Sequence, residues 1–277
     1  MRYDERTFKS DNGVTIYQQQ WLPDSKPRAL ICLVHGFGEH SGRYNNVIDV
    51  LVEERGLGIF SFDLRGHGKS SGTRGDLRFP DALDDIEKLV ELARKQYPDV
   101  PVVLYGHSTG GLLTLLYVLD RKPDVAGHVA TAPLLDTKLR EQTAKVVLAN
   151  LLGSALPSFT LPAGTDASMI SRDEAEVEKY RDDPLVHDQA SFAFGKQMLA
   201  SIDEMQQVTD YPVPLLLMHG SADVMTVPEA SREFVERVEG DLTLYQYEGL
   251  YHELHHEPEK DQVLTDLADW LDDLLAK

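Results

Sequence analysis

The chain has 277 residues, 42% of them hydrophobic, which suits one large globular domain and argues against disorder. Its formal net charge of −19 argues against a nucleic-acid partner and favours a neutral or apolar substrate. No apolar run approaches the roughly 20 residues that span a bilayer, and the charged start predicts no signal peptide. The single cysteine, Cys32, allows no intrachain disulfide. We therefore expect a cytoplasmic enzyme, with membrane contact at most peripheral.

Strand and helix patterns alternate along most of the chain. The predicted strands are residues 4–10, 14–21, 30–34, 57–62, 102–105, 127–131, 214–218 and 242–247. The predicted helices are residues 44–51, 81–96, a segment from 109 onward, 229–238 and 259–275. Asn12-Gly13 predicts a hairpin turn between the first two strands. This alternation predicts an α/β protein with a mostly parallel eight-stranded sheet covered by helices on both faces.

The alternation stops between about residues 135 and 208, where the pattern is helical and interrupted by proline and glycine. A structureless loop of that length would be unusual in a compact domain. We therefore predict a core of residues 1–134 and 209–277 with a helical cap, 135–208, inserted into it. Within the cap, residues 146–156 are apolar around much of a helix, so they either pack inside the cap or contact a membrane or micelle.

Between the strand at 102–105 and the following helix lies Gly106-His-Ser108-Thr-Gly110, a match to the G-x-S-x-G nucleophile elbow. A strand that turns directly into a helix strains its corner residue, and the glycines let the two elements pass closely. The turn exposes the serine hydroxyl at a helix N-terminus, where N–H groups favour a developing negative charge. Ser108 is the predicted nucleophile; the alternative is a glycine-rich turn with a capping serine.

A serine nucleophile needs a base and a group that orients the base. In the hydrolase fold that carries this elbow, the order along the chain is serine, acid, histidine, each after a strand. Asp223 and His252 follow the strands at 214–218 and 242–247 in that order, so we predict them as the acid and the base. The alternatives are a turn aspartate and a surface histidine. The predicted oxyanion hole uses the backbone N–H of Thr109 and that of Phe37, in the glycine-rich loop at 35–44.

That loop, His-Gly-Phe-Gly-Glu-His-Ser-Gly-Arg-Tyr, resembles a signature of monoacylglycerol lipases within the α/β-hydrolase superfamily. Further matching stretches are residues 63–72, 220–223 and 247–255, with 166–172 and 176–186 in the predicted cap. The resemblance covers about residues 29–270. One departure is Thr109, where the family commonly has methionine.

The resemblance implies the α/β-hydrolase fold and a serine esterase in which Ser108 attacks the ester, His252 moves the proton and Asp223 holds the imidazolium. It also implies that Glu39, Arg43 and His255 line a polar pocket for the glycerol end. The expected partner is a monoacylglycerol or a similar neutral lipid ester.

The sequence shows no zinc-ligand spacing and no phosphate or dinucleotide glycine pattern, so we expect no cofactor and no metal. The predicted catalytic triad of Ser108, Asp223 and His252 does not determine which alcohol the ester contains, and therefore a lysophospholipase or a general carboxylesterase is an alternative. An acyltransferase, in which an alcohol replaces water, is another alternative, and a non-catalytic binding protein on the same fold is a third.

Overall fold

The structure is a computed structural model and describes residues 1–141 and 151–277. Its main sheet has eight strands in the order β1-β2-β4-β3-β5-β6-β9-β10. They are β1 (Arg2–Lys9), β2 (Thr15–Leu22), β3 (Leu30–Val34), β4 (Gly58–Phe62), β5 (Val102–His107), β6 (Gly127–Thr131), β9 (Leu215–Gly220) and β10 (Leu242–Tyr247). The pairs β1/β2 and β2/β4 are antiparallel, and the pairs among β3, β4, β5, β6, β9 and β10 are parallel. This is the mostly parallel eight-stranded sheet of the α/β-hydrolase fold.

Helices lie on both faces of this sheet and in the segment between β6 and β9. They are α1 (Asn45–Ile48), which continues into a π-helical segment (Asp49–Glu54), α2 (Phe79–Gln96), α3 (Thr109–Arg121), α4 (Glu174–Asp182), α5 (Phe192–Met205), α6 (Pro228–Arg237) and α7 (Lys260–Leu275). Within the described ranges, no helix is long and apolar enough to cross a membrane.

Alternate residues of the central strands enter two separate cores. In β3, Leu30, Cys32 and Val34 pack with α2, α3 and α5, whereas Ile31 and Leu33 pack with α1 and α7. A strand buried on both faces has no polar face, which explains the continuous apolar run in the sequence. The four loops of interest, after β3, β5, β9 and β10, leave the carboxyl ends of parallel strands and therefore lie at one edge of the sheet.

Residues between β6 and β9 add no strand to the main sheet within the part that is described. They form α4, α5 and a separate two-stranded sheet of β7 (Thr160–Pro162) and β8 (Gln189–Ser191), which the sequence pattern did not predict. Residues 146–150 of the apolar segment 146–156 lie outside the described residues. The division into a core and a cap at residues 135–208 stays a prediction.

Candidate active site

Ser108 occupies a strained turn between β5 and α3, with φ 55° and ψ −118°. Non-glycine residues rarely adopt a positive φ, and such strain is concentrated at functional sites. A Cβ on Gly106 would collide with the Gly110 carbonyl and the Thr114 hydroxyl, and one on Gly110 would collide with the Val34 carbonyl. The two glycines are therefore required for α3 to pass close to β3 and β5.

His252 and Asp223 form a buried hydrogen-bonded pair, with 2.7 Å between His252 Nδ1 and Asp223 Oδ2. Backbone N–H groups of Met225 and Thr226 donate to the other carboxylate oxygen at 2.7 and 3.1 Å. Burial acts to raise the pKa of Asp223, but the neighbouring imidazoles and hydrogen bonds outweigh it and hold that pKa below its usual range. Burial acts to lower the pKa of His252, but the charge and hydrogen bond of Asp223, together with the charges of Glu253 and Glu39, outweigh it and raise that pKa.

Ser108 and His252 face one cavity with a volume of about 700 Å³. Phe37, Glu39 and Thr109 also line it, so the structure brings together five of the eight predicted site residues, with Asp223 directly behind His252. Side chains from residues 135–208 supply much of the apolar wall, and the described ones include Leu161, Met169, Ile170, Phe192, Phe194 and Met198. A cavity of this size with a largely apolar wall suits a ligand with one long apolar part.

The loop after β3 is held by hydrogen bonds to the Glu39 carboxylate and by the packing of the Phe37 ring. Glu39 Oε1 accepts hydrogen bonds from the Gly36 N–H at 2.7 Å and the Tyr44 hydroxyl at 2.8 Å. The Phe37 ring stacks on Phe194 of α5, with centroids 4.0 Å apart. These contacts fix the backbone on both sides of the Phe37 N–H, the predicted oxyanion donor.

Arg43 lies behind this loop in a buried ionic network and is not among the described residues that line the cavity. Its guanidinium donates to Glu39 at 3.0 Å and to both carboxylate oxygens of Glu253 at 2.6 and 2.7 Å. It also lies 4.6 Å from the ring centre of Tyr180 on α4. Burial acts to raise the pKa of Glu39, but the charge of Arg43, together with the neighbouring imidazoles of His107 and His35, outweighs it and lowers that pKa.

Comparisons with known proteins agree with this geometry. The profile of a family described as serine aminopeptidase, S33, matches residues 25–259. An uncharacterised abhydrolase domain-containing protein of Dictyostelium discoideum is 38% identical over 262 residues, which cover 93% of this chain and 28% of that protein. A monoacylglycerol lipase of Mycolicibacterium smegmatis is 33% identical over 271 residues, which cover 96% of each chain. The crystal structure of Paleococcus ferrophilus monoacylglycerol lipase is 31% identical, with a TM-score of 0.82 over 100% of this chain and 99% of that one.

The chain belongs to the monoacylglycerol lipase family.

The family resemblance also included His255, which lies deeper in this hydrolase than the cavity wall. Its ring stacks on Tyr44, with centroids 4.7 Å apart, and is 5.4 Å from the ring of His107. Neither ring nitrogen has a hydrogen-bond partner in the described structure, and burial lowers the pKa of His255 well below its ordinary value. A role for His255 at the glycerol end stays a prediction.

Among the described residues, two groups could hold a metal, Glu39 with His107 and Glu253, and Glu253 with His255 and His256; the first has all three residues in the cavity lining. Ligand atoms of Glu39, His107 and Glu253 lie within 4.8 Å of one another. Arg43 already forms ion pairs with both carboxylates, however, and a cation placed there would compete with it. The arrangement therefore suits a fixed ion-pair network better than a metal centre.

Glu253, which was not predicted from the sequence, follows His252 directly and lines the cavity with its side chain 4% exposed. The signal available in the sequence was the position of Glu253 directly after His252, the predicted base. Its partner Arg43 lies 210 residues earlier in the chain, so local sequence pattern could not reveal the pair.

Proposed function

We propose that this protein is a serine hydrolase that cleaves the ester bond of monoacylglycerols to give a fatty acid and glycerol. The observation that carries the proposal is the strained Ser108 in the same cavity as His252, which is hydrogen-bonded to Asp223. Similarity over nearly the whole chain to monoacylglycerol lipases supports this choice of ester.

The first half-reaction makes an acyl-enzyme. The Ser108 hydroxyl oxygen attacks the ester carbonyl while His252 Nε2 takes the hydroxyl proton, and Asp223 stabilises the imidazolium that forms. The backbone N–H groups of Phe37 and Thr109 donate to the carbonyl oxygen as it becomes negative. The tetrahedral intermediate then breaks its bond to the glycerol oxygen, which receives the proton from His252.

The second half-reaction returns the enzyme to its starting state. Water attacks the acyl carbon and gives a proton to His252, and the bond to the Ser108 oxygen breaks as that oxygen regains a proton. The sum is one ester and one water converted to one fatty acid and one glycerol.

We place the glycerol end against the polar part of the cavity wall, at Glu39. The hydroxyls of the substrate need buried partners, and a carboxylate accepts hydrogen bonds from them. Arg43 and His255 belong to this proposal as residues behind the wall, since Arg43 holds Glu39 and His255 packs on Tyr44. Thr109, where the family commonly has methionine, contributes a backbone N–H and keeps that function with any side chain.

A fluorophosphonate probe and a panel of esters test the proposed function. The probe should label the wild-type protein and leave Ser108→Ala unlabelled, and monoacylglycerols should be cleaved faster than diacylglycerols, lysophospholipids, short p-nitrophenyl esters and aminoacyl amides. Lysophospholipid preference would favour the lysophospholipase alternative. Acyl ester formation from added alcohol would favour the acyltransferase, and absence of labelling would favour a binding protein.

We also propose that the cavity mouth contacts a lipid surface. Among the described residues between 151 and 224, six large apolar side chains are at least a third exposed, and they are Leu151, Leu156, Phe159, Leu161, Met169 and Val224. Three of these, Leu161, Met169 and Val224, also line the cavity, so the exposed apolar surface continues into it. An exposed apolar patch of this kind marks a contact site, and the net charge of −19 favours neutral over anionic lipid.

Vesicle binding tests this contact. Leu156→Glu combined with Phe159→Glu should weaken binding to neutral vesicles and slow turnover of micellar monoacylglycerol, while turnover of a water-soluble p-nitrophenyl ester stays at the wild-type rate. Unchanged vesicle binding by the folded double variant would contradict the proposal.

A further inference from the structure

Asp223 has a second histidine partner besides His252. His219, the fifth residue of β9, is fully buried, and its Nε2 lies 3.2 Å from Asp223 Oδ2, the same oxygen that accepts from His252. The hydroxyl of Thr226 donates to that oxygen as well, at 2.7 Å. Two imidazoles and one hydroxyl therefore converge on a single carboxylate oxygen.

The hydrogen bonds fix which ring nitrogen of His219 carries the proton. An ionised carboxylate only accepts hydrogen bonds, and the Thr226 hydroxyl uses its proton on Asp223, so the nearby Nε2 of His219 must be the donor. That N–H is shared between Asp223 Oδ2 and Thr226 Oγ1, which lies 3.1 Å away. The other nitrogen, Nδ1, then accepts from the Ser231 hydroxyl on α6 at 2.8 Å.

We propose that His219 is a positioning residue of this enzyme: its Nε2–H fixes the Asp223 carboxylate and takes part of that charge away from His252, with Ser231 holding the required tautomer. The proposal rests on the function assigned above, because it gives Asp223 the role of the acid that orients His252. His219 is not among the described residues that line the cavity; it contacts Asp223 and Thr226, and its proposed effect on His252 passes through Asp223.

The effect on the pKa of His252 follows because the single negative charge of Asp223 is shared between His252 and His219. A carboxylate that accepts hydrogen bonds from two imidazoles stabilises the His252 imidazolium less than one that accepts from His252 alone. The other groups facing His252 are the His107 ring, with centroids 4.8 Å apart, and the carboxylates of Glu253 and Glu39. None of them contacts His219 directly, so a change at His219 reaches His252 through Asp223.

Two substitutions at His219 distinguish a positioning role from the effect of side-chain size. His219→Leu removes the donor and keeps an apolar side chain of similar size in the buried site. The acid limb of the pH profile of kcat/KM should then move upward by roughly half a pH unit or more, since all of the Asp223 charge acts on His252. Loss of carboxylate orientation should lower kcat on the order of tenfold to a hundredfold with little change in KM. His219→Gln, whose amide keeps one donor and one acceptor, should restore most of the wild-type kcat and bring the acid limb back towards its wild-type pH.

His128 on β6 supplies the matched control. It is also fully buried and its ring nitrogens bond to two hydroxyls, those of Tyr211 at 2.7 Å and Thr114 at 2.8 Å, with no carboxylate among those partners. His128→Leu should lower the melting temperature as His219→Leu does and leave the acid limb in place.

Three outcomes have distinct meanings. If the wild-type protein cleaves esters and is labelled by the probe, but His219→Leu keeps the wild-type acid limb, the positioning role of His219 is wrong. If the wild-type protein neither cleaves esters nor is labelled, the proposed function itself is wrong. Equal loss in His219→Leu and His219→Gln, with an unmoved limb, would show a purely structural residue.

Discussion

The imidazole of His252 is subject to two opposing effects. Burial acts to lower its pKa from the ordinary 6.5, but the Asp223 carboxylate at 2.7 Å outweighs burial and raises it. A general base must be neutral, so turnover should fall as the pH drops through this raised pKa. Asp223→Asn removes the charge, and we expect the acid limb to move to lower pH and kcat to fall about ten-thousandfold, the loss known for other triads. The pH dependence of kcat/KM measures both effects.

The control for Asp223→Asn is the folded state of the variant. Its far-ultraviolet circular dichroism and its melting transition should still show a folded protein. An acid limb at the wild-type pH in a folded variant would contradict the assignment of Asp223.

Glu39 should influence the choice of alcohol as well as the loop after β3. In Glu39→Gln the side chain keeps its size and an acceptor oxygen for the Gly36 N–H, but it loses the charge that pairs with Arg43. We expect kcat/KM for monoacylglycerol to fall, because about 1–3 kcal/mol of transition-state stabilisation is lost. The loss for a short p-nitrophenyl ester should be smaller. Parallel kinetics on the two substrates test this, and equal losses on both would assign Glu39 to support of the loop alone.

Residues of the candidate site differ in how far sequence could predict them. Ser108, Asp223 and His252 each follow a strand end in a fixed order, and sequence carries that order. The environment of Arg43 depends on Glu253 and on Tyr180, which are brought to it only by the tertiary fold. Sequence therefore indicated the reacting groups and left their buried partners undetermined.

At the scale of elements, long periodic segments were predicted well. The helix predicted at 81–96 spans Phe79–Gln96, and the one predicted at 259–275 spans Lys260–Leu275, because each presents one apolar face to the core. The three-residue strands β7 and β8 escaped prediction, since they pair Thr160 with Ser191, a partner 31 residues away, and have no alternating pattern. The change from α1 to a π-helical segment at Asp49 likewise has no local signal.

A close contact joins the loop after β3 to the segment between α4 and β8. The His187 N–H donates to the Gly38 carbonyl at 2.8 Å, and Gly38 has φ +80°. In Gly38→Ala the new Cβ would strain the backbone and collide with the His187 carbonyl. We expect a lower melting temperature and a lower kcat, because the loop and the Phe37 N–H must shift.

Gly13→Ala is the matched control for Gly38→Ala. Gly13 has φ +82° in the first hairpin with no atom within 4 Å of an added Cβ, so the substitution carries the strain without the collision. It should cost about 1 kcal/mol of stability and leave kcat unchanged. If both variants kept the wild-type kcat, the contact with His187 would not govern the loop.

The whole molecule carries several buried histidines whose pKa is lowered by loss of hydration. Burial lowers the pKa of His107 to about 4 and that of His128 to about 3, and it lowers those of His67 and His255 well below the ordinary value. Below pH 6.5 the unfolded chain binds protons at these positions and the folded protein does not. The free energy of unfolding should therefore decrease as the pH falls from 6.5 towards 4, by about 1.4 kcal/mol per pH unit for each such histidine.

His128→Gln tests this account, because it removes one titrating group that is not among the described residues lining the cavity. The variant should be less stable at pH 7, yet its free energy of unfolding should fall less steeply between pH 6 and pH 4, by about 1.4 kcal/mol per pH unit. Tyr211→Phe is the control, since it deletes the hydroxyl that bonds to His128 and keeps the imidazole, so it should lower stability and retain the steep slope. Urea unfolding at several pH values measures the three slopes. A slope in His128→Gln as steep as in the wild type would show that His128 does not contribute to acid sensitivity.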